Sequence, residues 1–207
     1  GNHFELTGEG FLAVAVSLLA AATAGTLDVP AVLVGVAVAA WALRLGCFLT
    51  GRIHRAGSDR RFDEMKRVPA RFLVAWTLQG LWVFVTLLAA SAFIAARARP
   101  AGMTWTMGLG LLVWAFGFAV EIVADRQKAA FAAKPENRGR FITTGLWAWS
   151  RHPNYFGEIV LWTGLFLAGL GVWEGAQWIT ALSPLFVALL LTRVSGIPML
   201  ERRAEEL

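Results

Sequence analysis

Apolar residues run along this chain in six long blocks, over roughly 10-26, 30-50, 70-94, 103-123, 155-172 and 176-193. Each block approaches the 17 to 25 residues that a helix needs to cross a hydrocarbon core, the first and the last two at the short end. The strict polar-apolar alternation of a barrel strand is absent from them. Lipid offers no partner to a bare N–H or C=O, so a chain of this pattern is expected to cross as helices that satisfy their own backbone. The fold expected is all-α, a polytopic transmembrane helical bundle, with residues 1-207 forming a single transmembrane domain.

Composition strengthens this reading. Hydrophobic residues make up 57% of the chain and charged ones only 16%, a balance that leaves too little polar surface for an ordinary soluble domain. The net charge of +5 raises the question of nucleic acid, but the placement of the basic residues argues against it. Arg52, Arg55, Arg60, Arg61, Lys66, Arg67 and Arg71 gather around one connection. Arg126, Lys128, Lys134, Arg138, Arg140 and Arg151 gather in another, and Arg193, Arg202 and Arg203 lie at or after the end of the last block. Only Arg97 and Arg99 stand on the opposite side. By the positive-inside rule the long connections near 51-69 and 124-153, together with both visible termini, are expected in the cytoplasm. Residues 11-24 do not read as a signal peptide, because Glu5 and Glu9 stand where a basic n-region belongs. The chain opens on Gly1, so further segments are expected beyond those visible here.

Several chemistries are disfavoured. Cys47 is the single cysteine and falls inside a span, so neither a disulfide framework nor a cysteine metal site is expected. His3, His54 and His152 are scattered without ligand spacing, and no metal is assigned. Neither a G-x-G-x-x-G turn nor a P-loop is present, so any nucleotide is held by another architecture.

The longer connections are the places to look for function. The second leads into Gly145-Leu146-Trp147-Ala148-Trp149-Ser150-Arg151-His152-Pro153-Asn154-Tyr155, and Pro153 marks a helix start, since its missing N–H costs nothing in a first turn. A helix N-terminus preceded by Arg138, Arg140 and Arg151 suits a phosphate, and equally these arginines can meet anionic headgroups. Asn154 and Glu158 share a helix face and can hold a ribose or an amide, or only cap and pack the helix. Arg44 lies about 9 Å inside its span, counted at 1.5 Å per residue. It is a candidate functional charge there, although it can also snorkel. Trp41, Arg44 and Phe48 fall on one face, and so do Glu121, Asp125 and Lys128. With Gln79 they describe a polar pocket between helices, the alternative for Gln79 being an interhelical hydrogen bond. Glu5 and Glu9 precede the first span. A carboxyl partly desolvated there would suit a general acid, though either can be merely interfacial.

The run from Asp125 to Gly164, above all Gly145 to Glu158, resembles the C-terminal signature of the steroid 5-alpha-reductase-like membrane proteins, in particular their bacterial branch. Phe4-Glu5-Leu6-Thr7-Gly8, Trp41-Ala42-Leu43-Arg44-Leu45-Gly46, Gly57-Ser58-Asp59-Arg60-Arg61-Phe62-Asp63 and Trp76-Thr77-Leu78-Gln79-Gly80-Leu81-Trp82 agree with it, so the match covers nearly the whole chain. The resemblance implies a bundle of about seven helices, six of them visible here, in the bacterial inner membrane. It implies NADPH in a cavity open to the cytoplasm and hydride transfer to the carbon-carbon double bond of a lipophilic enone, steroid-like or otherwise. Asn154 and Glu158 then look like cofactor ligands, Arg44 and Arg193 like the family's span arginines, and Glu5 like its catalytic carboxyl. Asp125, Lys128, Arg138, Arg140, Arg151, His152 and Tyr155 join the cofactor set, with Gln79 and Glu121 at the substrate pocket. One departure stands out: Trp41 occupies the position of the family's catalytic tyrosine, and an indole N–H donates a hydrogen bond but delivers no proton. The Arg-His-Pro-x-Tyr element is also similar to the isoprenylcysteine carboxyl and phospholipid methyltransferases, which implies S-adenosylmethionine as the alternative cofactor. A non-enzymatic lipid or sterol binder on the same scaffold is the third reading.

Overall fold

A computed structural model describes residues 15–25, 27–56, 69–96 and 102–194. They contain six α-helices and no strand. Helical residues 15–23 are α1, Val29–Ala56 α2, Pro69–Ala95 α3, Trp105–Ala132 α4, Pro153–Ala168 α5 and Leu182–Leu189 α6. Four helical stretches are long and apolar enough to cross a membrane: Val29–Phe48, Trp76–Ala95, Trp105–Ala132 and Gly175–Val194. The all-helical membrane architecture expected from the apolar blocks is therefore observed.

The chain divides into two compact units, Gly1–Gly102 and Met103–Leu207. In the first, α2 begins where the Asp28 carboxylate accepts from Ala31 N at 2.9 Å. Pro30 and Pro69 lie in the opening turns of α2 and α3, where a missing N–H costs nothing. Leu18 of α1 lies close over Gly35 of α2, and α2 packs on α3.

In the second unit α4 is capped by Thr104, whose Oγ1 accepts from Met107 N at 3.2 Å. Its 28 residues rise about 42 Å. Helix α5 runs antiparallel against it along a seam of glycines. A Cβ on Gly117 would lie 2.5 Å from Leu161 N and 2.6 Å from Gly157 O, and one on Gly164 would lie 2.5 Å from Trp114 N. Gly110 faces the backbone of Gly164 and Ala168 in the same way. Backbone-to-backbone packing of this kind is how membrane helices gain dispersion energy where lipid gives no hydrophobic drive.

Helix α5 is shorter than its apolar block. Its 16 residues rise about 24 Å, less than the roughly 30 Å of a hydrocarbon core. It stops at Gly169 because the chain turns back there: Val172 N and Trp173 N both donate to Gly169 O, and the Trp173 indole N–H reaches Phe166 O at 3.1 Å. The Trp173 ring fills the space a Cβ on residue 169 would need. A 3-10 turn, Gly175–Ala181, then leads into α6, which packs on α5 and ends in a π-helical turn, Leu190–Val194.

Candidate functional site

The glycine seam fixes the relative height of α4 and α5. A Cβ on Gly157 would lie 2.7 Å from both Glu121 N and Gly117 O, so the first turn of α5 sits level with Val120 to Val123. Helix α4 continues past that level to Ala132, seven residues beyond Asp125, or about 10 Å. The N-terminus of α5 is thus recessed below the end of α4, and the connection 133–152 must fold back down along it.

Three contacts hold that connection in place. Asn137 Nδ2 donates to Phe131 O at 2.8 Å, just past α4. Lower down, Leu146 N donates to Gln127 Oε1 at 3.0 Å, and the buried Trp147 indole donates to Ala124 O at 3.0 Å. Gly145 has φ +63°, and a Cβ there would strike the Gln127 amide. The left-handed φ favours glycine there, and any other residue would also push the Gln127 amide off its bond to Leu146 N. The Lys128 ammonium lies 5.0 Å from the Trp147 ring centroid, a cation–π distance. His152, immediately before Pro153, stacks its ring on Tyr155 at 5.4 Å and 11°.

From the seam, the helical rotation of about 100° per residue turns Glu121 by about 40° and Asp125 by about 80° toward one flank of α4. On α5 the same count turns Asn154 by about 60° and Glu158 by about 100°. In an antiparallel pair of right-handed helices seen face to face these are the same flank. On each helix the polar side chains form two tiers one turn, or about 6 Å, apart, Asp125 over Glu121 on α4 and Asn154 over Glu158 on α5, and the register above brings Asn154 level with Glu121. Glu121 is 3% and Asp125 7% exposed. Asn154 and Glu158 are half-buried. The Asn154 Oδ1 atom is buried and accepts no hydrogen bond from the described residues. Beneath the tiers Trp114 and Phe118 turn to the same flank and stack at 4.9 Å.

Four side chains rich in acceptor oxygens, one oxygen still lacking a donor, suit a ligand that brings N–H or O–H groups or positive charge. A carboxamide, ribose hydroxyls, a pyridinium, an ammonium or a sulfonium all answer this description.

The other residues expected at a site are placed as follows. Lys128, Arg138, Arg140 and Arg151 are exposed, on the last turns of α4 and in the connection. Arg193 is exposed in the π-helical turn after α6. Trp41 is buried in α2, and Arg44, half-buried one turn on, lies 5.5 Å from the Phe48 ring centroid. Gln79 is half-buried in α3 with Nε2 donating to none of the described residues, so the interhelical bond considered for it is not made by that atom. Trp41, Arg44 and Gln79 belong to the first unit and the two tiers to the second. Glu5 and Glu9 lie outside the described residues, as does most of the connection 51-69. Nothing in the local sequence marks the docking role of Gln127 and Trp147, whereas the glycine spacing of seven on both α4 and α5 is a readable signal of their close approach.

One curated relative, the "Probable O-methyltransferase ustE" of Ustilaginoidea virens, is 32% identical over 115 residues, which cover 49% of this chain. The chain spans about 40% of that relative's length. No solved structure matches. A family model described as "Protein of unknown function (DUF1295)" matches residues 6–207, nearly the whole chain. The chain belongs to that family.

Proposed function

We propose that this protein is a membrane-embedded reductase that uses NADPH to reduce the carbon-carbon double bond of a lipophilic, enone-type substrate, with the Ala132 end of α4 facing the cytoplasm. The observation that carries the reading is the two-tiered flank of α4 and α5, where the Asn154 oxygen lacks a donor one turn from Glu158. A nicotinamide carboxamide presents the N–H₂ that Asn154 can accept, and ribose hydroxyls present donors to a carboxylate. Glu121 and Asp125 add further carboxyl oxygens on the same flank. Arg151 and Lys128, exposed beside the entrance to α5, are the nearest cations for the phosphates. When bound, NADPH supplies the hydride. The protein's part is to hold the ring and to exclude water by the apolar seam and the Trp114–Phe118 wall. The resemblance puts the proton source at Glu5 and a hydrogen-bond donor to the substrate at Trp41.

The ustE relative favours a second reading, methyl transfer from S-adenosylmethionine, because it is described as an O-methyltransferase. An acceptor-rich, acidic site can also take an ammonium and a sulfonium. The two readings part in a thermal-shift titration of purified protein. NADPH raising the melting temperature, with no effect of S-adenosylmethionine, supports the reductase, and the reverse supports the transferase. No shift with either leaves the binding protein.

A further inference from the structure

The turn that carries Trp147 inward carries Trp149 outward. Trp149 is 92% exposed, although the turn presenting it is held fast by the Ala124 and Gln127 contacts. Phe141, in the same connection, is 69% exposed, and Lys134, Arg138 and Arg140 around it are exposed as well. An indole held rigidly in the open is costly in water and favourable at a membrane interface, where its ring meets acyl carbon and its N–H meets headgroup oxygen.

Its height agrees. The exposed Trp105 opens α4, and nineteen residues on from it, about 29 Å or one hydrocarbon thickness, the helix reaches Ala124. That is the residue to which the Trp147 indole is bonded. The two exposed indoles, Trp105 and Trp149, therefore bracket the thickness of a hydrocarbon core. The charged residues of α4 beyond this level, Asp125, Arg126 and Lys128, fall in the headgroup zone.

We propose that the connection 134–149 is a membrane-docking surface. In it, Phe141 and Trp149 are inserted at the headgroup boundary, while Lys134, Arg138 and Arg140 lie on the phosphates of anionic phospholipids. The occupant is the bilayer surface rather than a soluble partner, because the exposed Trp149 is carried by the turn bonded to α4 where that helix leaves the hydrocarbon, and the flanking charges match anionic headgroups. The surface does not depend on which cofactor the site binds. It fixes the depth of the turn that leads into His152, Asn154 and Glu158.

The test uses the full chain with Cys47→Ser, reconstituted in nanodiscs of zwitterionic lipid with one part in four phosphatidylglycerol. Nitroxide labels are placed on Trp149→Cys, Phe141→Cys and Glu136→Cys, the last being exposed in the 3-10 turn past the end of α4. Labels at 149 and 141 are expected to collide several-fold more with dissolved oxygen, relative to a water-soluble nickel complex, than the label at 136. Arg138→Gln combined with Arg140→Gln is expected to lower the enrichment of phosphatidylglycerol retained after detergent extraction toward its bulk fraction. Nickel access at 149 and 141 equal to that at 136 would place the rings in water. Protection from both reagents would place them under protein. Unchanged lipid enrichment in the double variant would remove the anionic headgroups. Each of these results overturns the proposal.

Discussion

Asn154 is where a single atom separates binding from folding. Because Oδ1 accepts nothing from the described residues, Asn154→Ala should leave the melting temperature of the ligand-free protein nearly unchanged. Loss of a ligand hydrogen bond costs about 1 to 3 kcal/mol, so NADPH affinity should fall by roughly five- to a hundredfold. Glu158→Gln, which keeps the shape of the side chain and removes its charge, should lower NADPH affinity by a similar factor. Calorimetric titration beside a melting curve checks both, and a fall in melting temperature with unaltered affinity would make the pair structural only. Trp147 is the opposite case. Trp147→Phe keeps a six-membered ring but loses the bond to Ala124 O and part of the buried indole volume, which should lower stability by about 1 to 3 kcal/mol with a matching shift in melting temperature. In the sequence Trp147 and Trp149 are two indoles of one short run. Their opposite fates are set by a carbonyl 23 residues earlier, and no local pattern records it. Glu121 and Asp125 were legible as neighbours on a helix face. Their burial was not, because it depends on which face of α4 receives α5.

At the scale of elements the glycine seam controls the site, since it sets the height at which α5 begins. Gly117→Ala puts a methyl against the backbone of Gly157 and Leu161 and should cost about 1 to 3 kcal/mol or more, because backbone cannot move aside as a side chain can. Gly108 lies in the same helix with nothing within 4 Å of a Cβ. Gly108→Ala should therefore change stability by less than about 1 kcal/mol, in the stabilising direction. Equal effects of the two substitutions on the detergent-solubilised melting temperature would contradict the packing described for α4 and α5. The existence of the helices was legible because an apolar block of about twenty residues has few other solutions in lipid. The early end of α5 was not, since Gly169 and Trp173 act through a turn that folds back on the helix. The recess of its N-terminus follows from a register between two helices, which a single strip of sequence does not contain.

For the whole molecule, the distribution of basic residues predicts sidedness. With Cys47 replaced, a cysteine at Glu136 should react with a membrane-impermeant thiol reagent only from the cytoplasmic face, and one at Glu174 only from the other. Labelling of position 136 from outside intact cells would place the connection away from the cytoplasmic pool of NADPH. The sequence blocks that resemble a reductase signature extend over both compact units, whereas the two tiers of polar side chains are built within the second alone, by α4 and α5. A site that binds the nicotinamide end there should retain its nucleotide through purification. The most direct measurement is therefore mass-spectrometric identification of the nucleotide that copurifies with the detergent-extracted protein, run beside Asn154→Ala. NADPH or NADP+ present in the unsubstituted protein and depleted in the variant is the predicted result, and recovery of S-adenosylmethionine or its demethylated product instead would contradict the reductase reading.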